Sequence, residues 1–332
     1  MSAVVTWIIG AIPIFAIFLY GAVGEIITEK SGHLNLGIPG IMCFGGMGGI
    51  VGINVALHLF GKNNGFMIIL LAIIFTLIFG GLMGLLYSFL TVTLKANQNI
   101  TGLSITTFGA AASTFVWFLV KKSQYQGNSS IDYLTGISKK FFSRMLPFVT
   151  DSSPDILRIF FSYGFLVYLA IILAIVAAFF LKKTKTGLGL RAVGENPGTA
   201  DAAGLNVERY RYIATICGAA IAGFGGLTYI MVCMHGGFEQ SVSIEKFGWL
   251  AVALVIFSIW RPTICLAGSF IFALLYQLPY AGFFVLSNEG AEFIKMLPYV
   301  VTILILVITS IVGKKQVQPP ASLGTNYFRE DR

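Results

Sequence analysis

Charge is what this sequence has least of. Only 11% of its 332 residues are Asp, Glu, Lys or Arg, and these are clumped. Residues 1–24, 31–61, 63–94, 96–120, 159–181, 212–238, 262–288 and 296–313 contain none. A soluble chain could not hide that much apolar surface in one core, whereas a helix crossing a bilayer needs about 20 mostly apolar residues. The chain therefore reads as all-α, a polytopic transmembrane helical bundle of about eight to ten spans.

Other scarcities narrow the function. The four cysteines, Cys43, Cys217, Cys233 and Cys265, fall in apolar segments without metal-ligand spacing and read as buried structural thiols. The spans are nearly free of the ionisable residues that a proton- or ion-driven transporter keeps at mid-depth. Glu25, Glu29 and Lys30 stand at one helix end and Arg261 at another. A phosphate-binding loop is missing too: Gly189 and Gly194 have the right separation, but Glu195 stands where that loop requires Lys. No basic stretch precedes the first apolar segment, which reads as a span, not a cleavable signal. The net charge of +8 is no sign of nucleic-acid binding, because basic residues of a membrane protein mostly set its orientation.

The apolar segments place spans at about 7–27, 66–94, 100–120, 159–181, 212–234, 247–260, 262–283 and 293–312. Between the first two of these, residues 32–40 are rich in Gly and interrupted by Pro39, which predicts a broken helix near 37–40 in the N-terminal third. Gly45, Gly48, Gly49 and Gly52, Gly80 and Gly84, and the small-residue runs 218–220 and 223–226 are the kind of surface on which helices pack closely. The chain divides into a transmembrane domain, 1–313, and a polar tail, 314–332. Within the domain lie polar stretches at 121–158 and 182–212. The 182–212 island carries Lys182, Lys183, Lys185, Arg191, Arg209 and Arg211, and the tail carries Lys314, Lys315, Arg329 and Arg332. An excess of Lys and Arg marks the cytoplasmic side, and four spans between island and tail return the chain to that side. Residues 121–158 then lie outside, against their own basic content.

Inside the island sits a short, deliberately ended helix. Asn196 is a good N-cap, Pro197 suits the first helical position, Ala200, Ala202 and Ala203 favour helix, and Gly204 can end it in the left-handed conformation. A protein without its own phosphate loop or proton relay needs an outside engine for uphill transport, and such a helix is a handle for one. The bland alternative is a loop with a capped turn.

Three motifs carry a resemblance. Residues 29–40 resemble the first motif of nucleoside-type ABC importer permeases. Residues 186–197, followed by Ala202, Ala203 and Gly204, resemble the loop that couples these permeases to their ATPase. Residues 319–324 with Tyr327 are similar to their C-terminus. The second motif is shared by a wider superfamily that includes ribose and branched-chain amino-acid permeases, so it speaks to mechanism more than to cargo. His33 and Pro39 depart from the pattern.

The resemblance implies a multi-pass subunit of a bacterial cytoplasmic membrane, itself no enzyme and without a cofactor of its own. ATP and Mg²⁺ would belong to a cytoplasmic ABC ATPase partner. A second, related permease subunit would complete the pore as a homo- or heterodimer, and an extracytoplasmic substrate-binding lipoprotein would deliver a nucleoside. A sugar or branched-chain amino-acid cargo, or a facilitator working without an ATPase, is the alternative. Arg191, Glu195, Asn196, Pro197, Ala203 and Gly204 are the expected coupling residues. Asn35, Asn97, Gln98, Asn99, Thr101, Ser104 and Thr106 are candidates to line the substrate path, or else to satisfy broken backbone and neighbouring helices. Phe108, Phe115 and Trp117 could stack on a base or simply pack.

Overall fold

The computed structural model describes residues 3–143, 149–150, 153–238, 241–282, 288–312 and 318–328. Seven helices among them are long and apolar enough to cross a membrane. They are α1 (Ala3–Glu29), α2 (Ile38–Phe60), α3 (Gly65–Ser88, extended by a π turn to Thr93) and α4 (Gln98–Lys122). After a short hairpin, β1 (Gln124–Tyr125) with β2 (Asn128–Ser129), come α5 (Leu134–Ile137) and α6 (Asp155–Phe161). The fifth long helix is α7 (Phe165–Lys183), followed by α8 (Lys185–Glu195) and α9 (Pro197–Ala202). The sixth is α10 (Val207–Thr228, extended by a π turn to Cys233). Then come α11 (Ser241–Phe257), α12 (Pro262–Gln277, extended by a 3₁₀ turn to Tyr280), α13 (Asn288–Lys295) and α14 (Leu297–Val312).

Helix α1 stands at the centre. From Ile14 to Glu29 every residue is buried, and Ile17, Phe18 and Leu19 have no exposed surface at all. A helix that is apolar on every side belongs in the middle of a bundle. The glycines then decide what packs around it. Gly45 and Gly46 of α2 lie against Gly223 and Gly226 of α10, and Gly80 and Gly84 of α3 lie against Ala219, Ala220 and Thr215 of α10. Lipid tails are as apolar as Leu, so such contacts are held by close van der Waals approach, not by the hydrophobic effect.

The break expected at residues 37–40 falls earlier, at residues 30–37. Pro39 sits in the first turn of α2, where its missing N–H costs nothing, and the helix then runs on without interruption to Phe60. The span expected at 159–181 is divided: α6 stops at Phe161, extended Gly164 intervenes, and α7 starts at Phe165. At the other expected span, 293–312, Pro298 lacks the N–H that a continuing helix would need, and α14 restarts at Leu297. Helix α11 begins at Ser241, whose carbonyl accepts from Cys43 Sγ at 3.7 Å. It therefore starts inside the bundle, next to α2.

The two polar stretches lie at opposite ends. Ser138, in the 121–158 stretch, donates to the carbonyl of Met231 at the far end of α10. The island adjoins the start of α10, together with the end of α1, where Trp260 Nε1 donates to Glu29 Oε2 and brings Arg261 to the same end. Lys314, Lys315, Arg329 and Arg332 lie outside the described residues. Cys43 and Cys265 are buried as expected, but Cys233 is half-buried and Cys217 is exposed, because it faces outward from α10 into a groove beside α7.

Candidate functional site

The island is built by three helix caps in quick succession. Thr184 ends α7 by donating from Oγ1 to the Phe180 carbonyl at 2.7 Å, and opens α8 by accepting from the Gly187 N–H at 3.0 Å. Asn196, in extended conformation, turns the corner: its N–H closes α8 on the Ala192 carbonyl at 2.9 Å and its Oδ1 accepts from the Thr199 N–H at 3.0 Å. Asn206 opens α10 by accepting from the Arg209 N–H at 2.9 Å. Each cap satisfies a backbone donor that the helix itself leaves free. Gly204, at φ +87°, ends α9 in the left-handed region as expected, with the Gly204 N–H on the Asp201 carbonyl and the Leu205 N–H on that of Ala200. A small apolar core of Val193, Ala200 and Val207 underlies the turn. Glu195, Asn196, Ala203 and Gly204 are exposed, and Arg191 and Pro197 half-buried.

The sequence of α8 does not announce a helix, because three glycines in eleven residues argue against one. The structure explains them as contacts. Gly187 is pressed on the Phe180 carbonyl, Gly189 on the Tyr210 hydroxyl, and Gly194 on the backbone of Lys30 and Gly32.

That last contact joins the island to residues 30–37, and the tail locks the junction. Ser322 donates from its N–H and its Oγ to the Gly194 carbonyl, at 3.0 and 2.7 Å. The Gly324 N–H reaches the Gly32 carbonyl at 3.3 Å. Arg211 Nη1 donates to the Thr325 carbonyl at 3.2 Å, Asn326 Nδ2 to that of Lys95 at 2.7 Å, and Tyr327 to Asp201 Oδ2 at 2.7 Å. Gln98 ties the same tail to the α1–α2 turn: Oε1 accepts from the Leu34 N–H at 2.8 Å while Nε2 donates to Asn326 Oδ1 at 3.2 Å. Three motifs far apart in sequence thus meet in one hydrogen-bonded knot.

Among the path candidates, four hold this turn and its neighbour. Asn35 Oδ1 accepts from the Gly37 N–H at 2.9 Å, Asn97 caps α4 by accepting from the Ile100 N–H at 3.1 Å, Gln98 acts as above, and Thr106 donates to the Leu36 carbonyl at 2.8 Å. Thr101 is buried. Asn99 and Ser104 lie on the exposed side of α4, with Phe108 and Phe115. Trp117 packs on Phe238 with ring centroids 5.5 Å apart.

The carboxylates are more deeply buried than their place at a helix end suggested. Glu25 accepts from the Asn35 N–H at 3.2 Å and so holds the turn, whereas Glu29 accepts from Trp260 and ties the end of α1 to the residues after α11. Nearby, His33 is fully buried. Thr91 donates to the Tyr87 carbonyl at 2.7 Å, so its oxygen accepts from His33 Nε2 at 2.8 Å, which fixes the neutral tautomer with the proton on Nε2. Burial, followed by the positive charges of Arg211 and Lys95, pushes the His33 pKa down to about 3. The unfolded chain takes up a proton below about pH 6.5, and the folded chain does so only near 3. Stability is therefore constant above the first value and is lost as pH falls through the interval. Thermal unfolding of the detergent-solubilised protein should shift down between neutrality and about pH 5, and His33→Gln should shrink that shift. An equal shift in both proteins would show that His33 does not carry it.

The model of the family described as "Branched-chain amino acid transport system / permease component" matches residues 8–306. The chain belongs to that family. It is 31% identical to the nucleoside ABC transporter permease protein NupC of Lactococcus lactis, over 94% of this chain and 93% of that one. The guanosine ABC transporter permease protein NupQ of Bacillus subtilis is 28% identical over 94% and 92% of the respective lengths. A putative glucose ABC transporter permease protein of Haloferax volcanii, TsgC13, is 31% identical over 79% and 73%. With seven helices long and apolar enough to cross a membrane among its described residues, this member of the permease family is a multi-pass membrane protein.

Proposed function

We propose that this permease is the membrane-spanning subunit of an ATP-driven importer of nucleosides, moved by a separate cytoplasmic ATPase that grips α8 and α9. ATP and Mg²⁺ act on that partner. A second permease subunit completes the pore, and an extracytoplasmic binding lipoprotein presents the nucleoside. The observation that carries the mechanism is the contact of Gly194 with Lys30 and Gly32, sealed by Ser322. A force applied to the exposed corner at Glu195 and Asn196 passes through it to the α1–α2 turn, and through Gln98 to α4. The bundle then tilts between inward- and outward-facing states as rigid helices pivot about that knot. The full-length likeness to permeases named for nucleosides and guanosine supports the cargo. The likeness to a permease named for glucose keeps a sugar as the second reading.

Uptake of a panel of labelled nucleosides and sugars, in cells with and without this chain, tests the cargo. Nucleoside uptake should be lost with the chain and glucose uptake kept. The reverse result makes the sugar reading correct, and full uptake into vesicles lacking any ATPase overturns the ATP-driven mechanism.

A further inference from the structure

Between α7, α8 and α10, on the side of α10 away from the knot, lies an apolar groove of about 730 Å³. Val176 and Phe180 form one wall, Ile213 and Cys217 the other, and Thr186 and Arg209 stand at its mouth. Val176 and Ile213 are each more than half exposed, so the groove is open along its length to the surroundings of the bundle. In a helix bundle of this class those surroundings are lipid.

One cation, Arg209, lines the mouth, and three lysines follow closely in the chain on the adjoining ends of α7 and α8. Lys182 and Lys183 end α7 beside Phe180, Lys185 begins α8 beside Thr186, and all three are exposed with Arg209. The acids of the island are turned elsewhere: Glu208 pairs with Lys95 at 3.3 Å, Asp201 accepts from Tyr327, and Glu195 lies close to Lys30. None of Lys182, Lys183, Lys185 and Arg209 makes an ion pair among the described residues. An acyl-sized apolar slot under an unneutralised cationic rim fits one occupant. Basic pockets between transmembrane helices on the cytoplasmic side take anionic headgroups.

We infer that this groove binds an anionic phospholipid of the surrounding bilayer, its acyl chain along α10 and its headgroup at Arg209 and the lysines of α7 and α8. Because Leu190 of α8 also lines the groove, the lipid would sit directly beneath the coupling helices and brace them against the bundle.

Cys217 offers a direct readout, since it lines the groove and is exposed while Cys43 and Cys265 are buried. The full-length chain in detergent micelles is labelled with a maleimide, with labelling at Cys217 followed by peptide mass spectrometry. Phosphatidylglycerol and phosphatidylcholine of identical acyl chains are added in turn. Phosphatidylglycerol should protect Cys217 at far lower concentration. Arg209→Gln and Lys185→Gln should each raise the concentration needed by roughly fivefold. Equal protection by the two lipids, or protection insensitive to both substitutions, overturns the proposal. As a second variant, Ile213→Trp fills the slot from an exposed position without altering charge, and should lose the phosphatidylglycerol adduct in native mass spectrometry. Retention of the adduct would place the lipid elsewhere and reject the site.

Discussion

Gly194→Leu should lower uptake by about ten- to a hundredfold while the chain still inserts into the membrane at its normal level. The reasoning is steric. Gly194 lies with its Cα against the Lys30 carbonyl and the Gly32 N–H, and its own carbonyl receives both hydrogen bonds of Ser322. A side chain there meets the backbone of Lys30 and Gly32, which cannot rotate away. Overpacking of this kind costs about 1–3 kcal/mol, and the cheapest escape is to lift α8 off the α1–α2 turn. That leaves the spans, which are packed elsewhere through Gly45, Gly46, Gly80 and Gly84, undisturbed. The loss should therefore fall on transmission of motion, one such step corresponding to about tenfold per 1.4 kcal/mol. Uptake assays read against membrane abundance check this. Normal uptake by Gly194→Leu would mean that the knot is not the route of coupling, and loss of the protein from the membrane would mean that it holds the fold.

Much of this architecture was legible from composition alone, and the reasons are particular. Charge-free segments near 20 residues report bilayer crossing directly, and the short capped helix at 196–204 was readable because Asn, Pro and Gly each have one strong local meaning. Small-residue runs likewise announced the α2–α3–α10 seam. What was not legible depended on contacts distant in sequence. Nothing about Gly187, Gly189 and Gly194 says helix; their role is visible only when Phe180, Tyr210 and Lys30 are in place. Pro39 reads as a break from sequence because a proline in the first turn and one in the interior look alike there. Gln98 and Thr106 stand out in sequence as polar groups in an apolar setting, and both bond the backbone of the α1–α2 turn. The tail motif was recognisable, but its partners, Gly194, Gly32, Lys95 and Asp201, were not.

The outer face of the same loop leads to the opposite kind of prediction. At Gly204 an added Cβ meets nothing within 4 Å, so bulk is free of internal clash there, although φ is +87°. A non-glycine residue in that conformation costs roughly 1–2 kcal/mol, a local strain that an exposed turn can relax. Gly204→Ala carries the strain without the bulk, and Gly204→Trp carries both. If the corner formed by Glu195, Asn196, Ala203 and Gly204 is the handle held by an ATPase, Gly204→Trp should abolish co-purification of that ATPase and ATP-dependent uptake, while Gly204→Ala should weaken both far less. Thermal unfolding of the two variants should be alike, since they share the backbone strain. Were Trp and Ala to reduce uptake equally, strain and not contact would be the cause, and the handle would have to lie elsewhere on α8 and α9. Comparison with Gly194→Leu separates gripping from transmission: that variant should keep the ATPase bound and fail to move, whereas Gly204→Trp should never bind it.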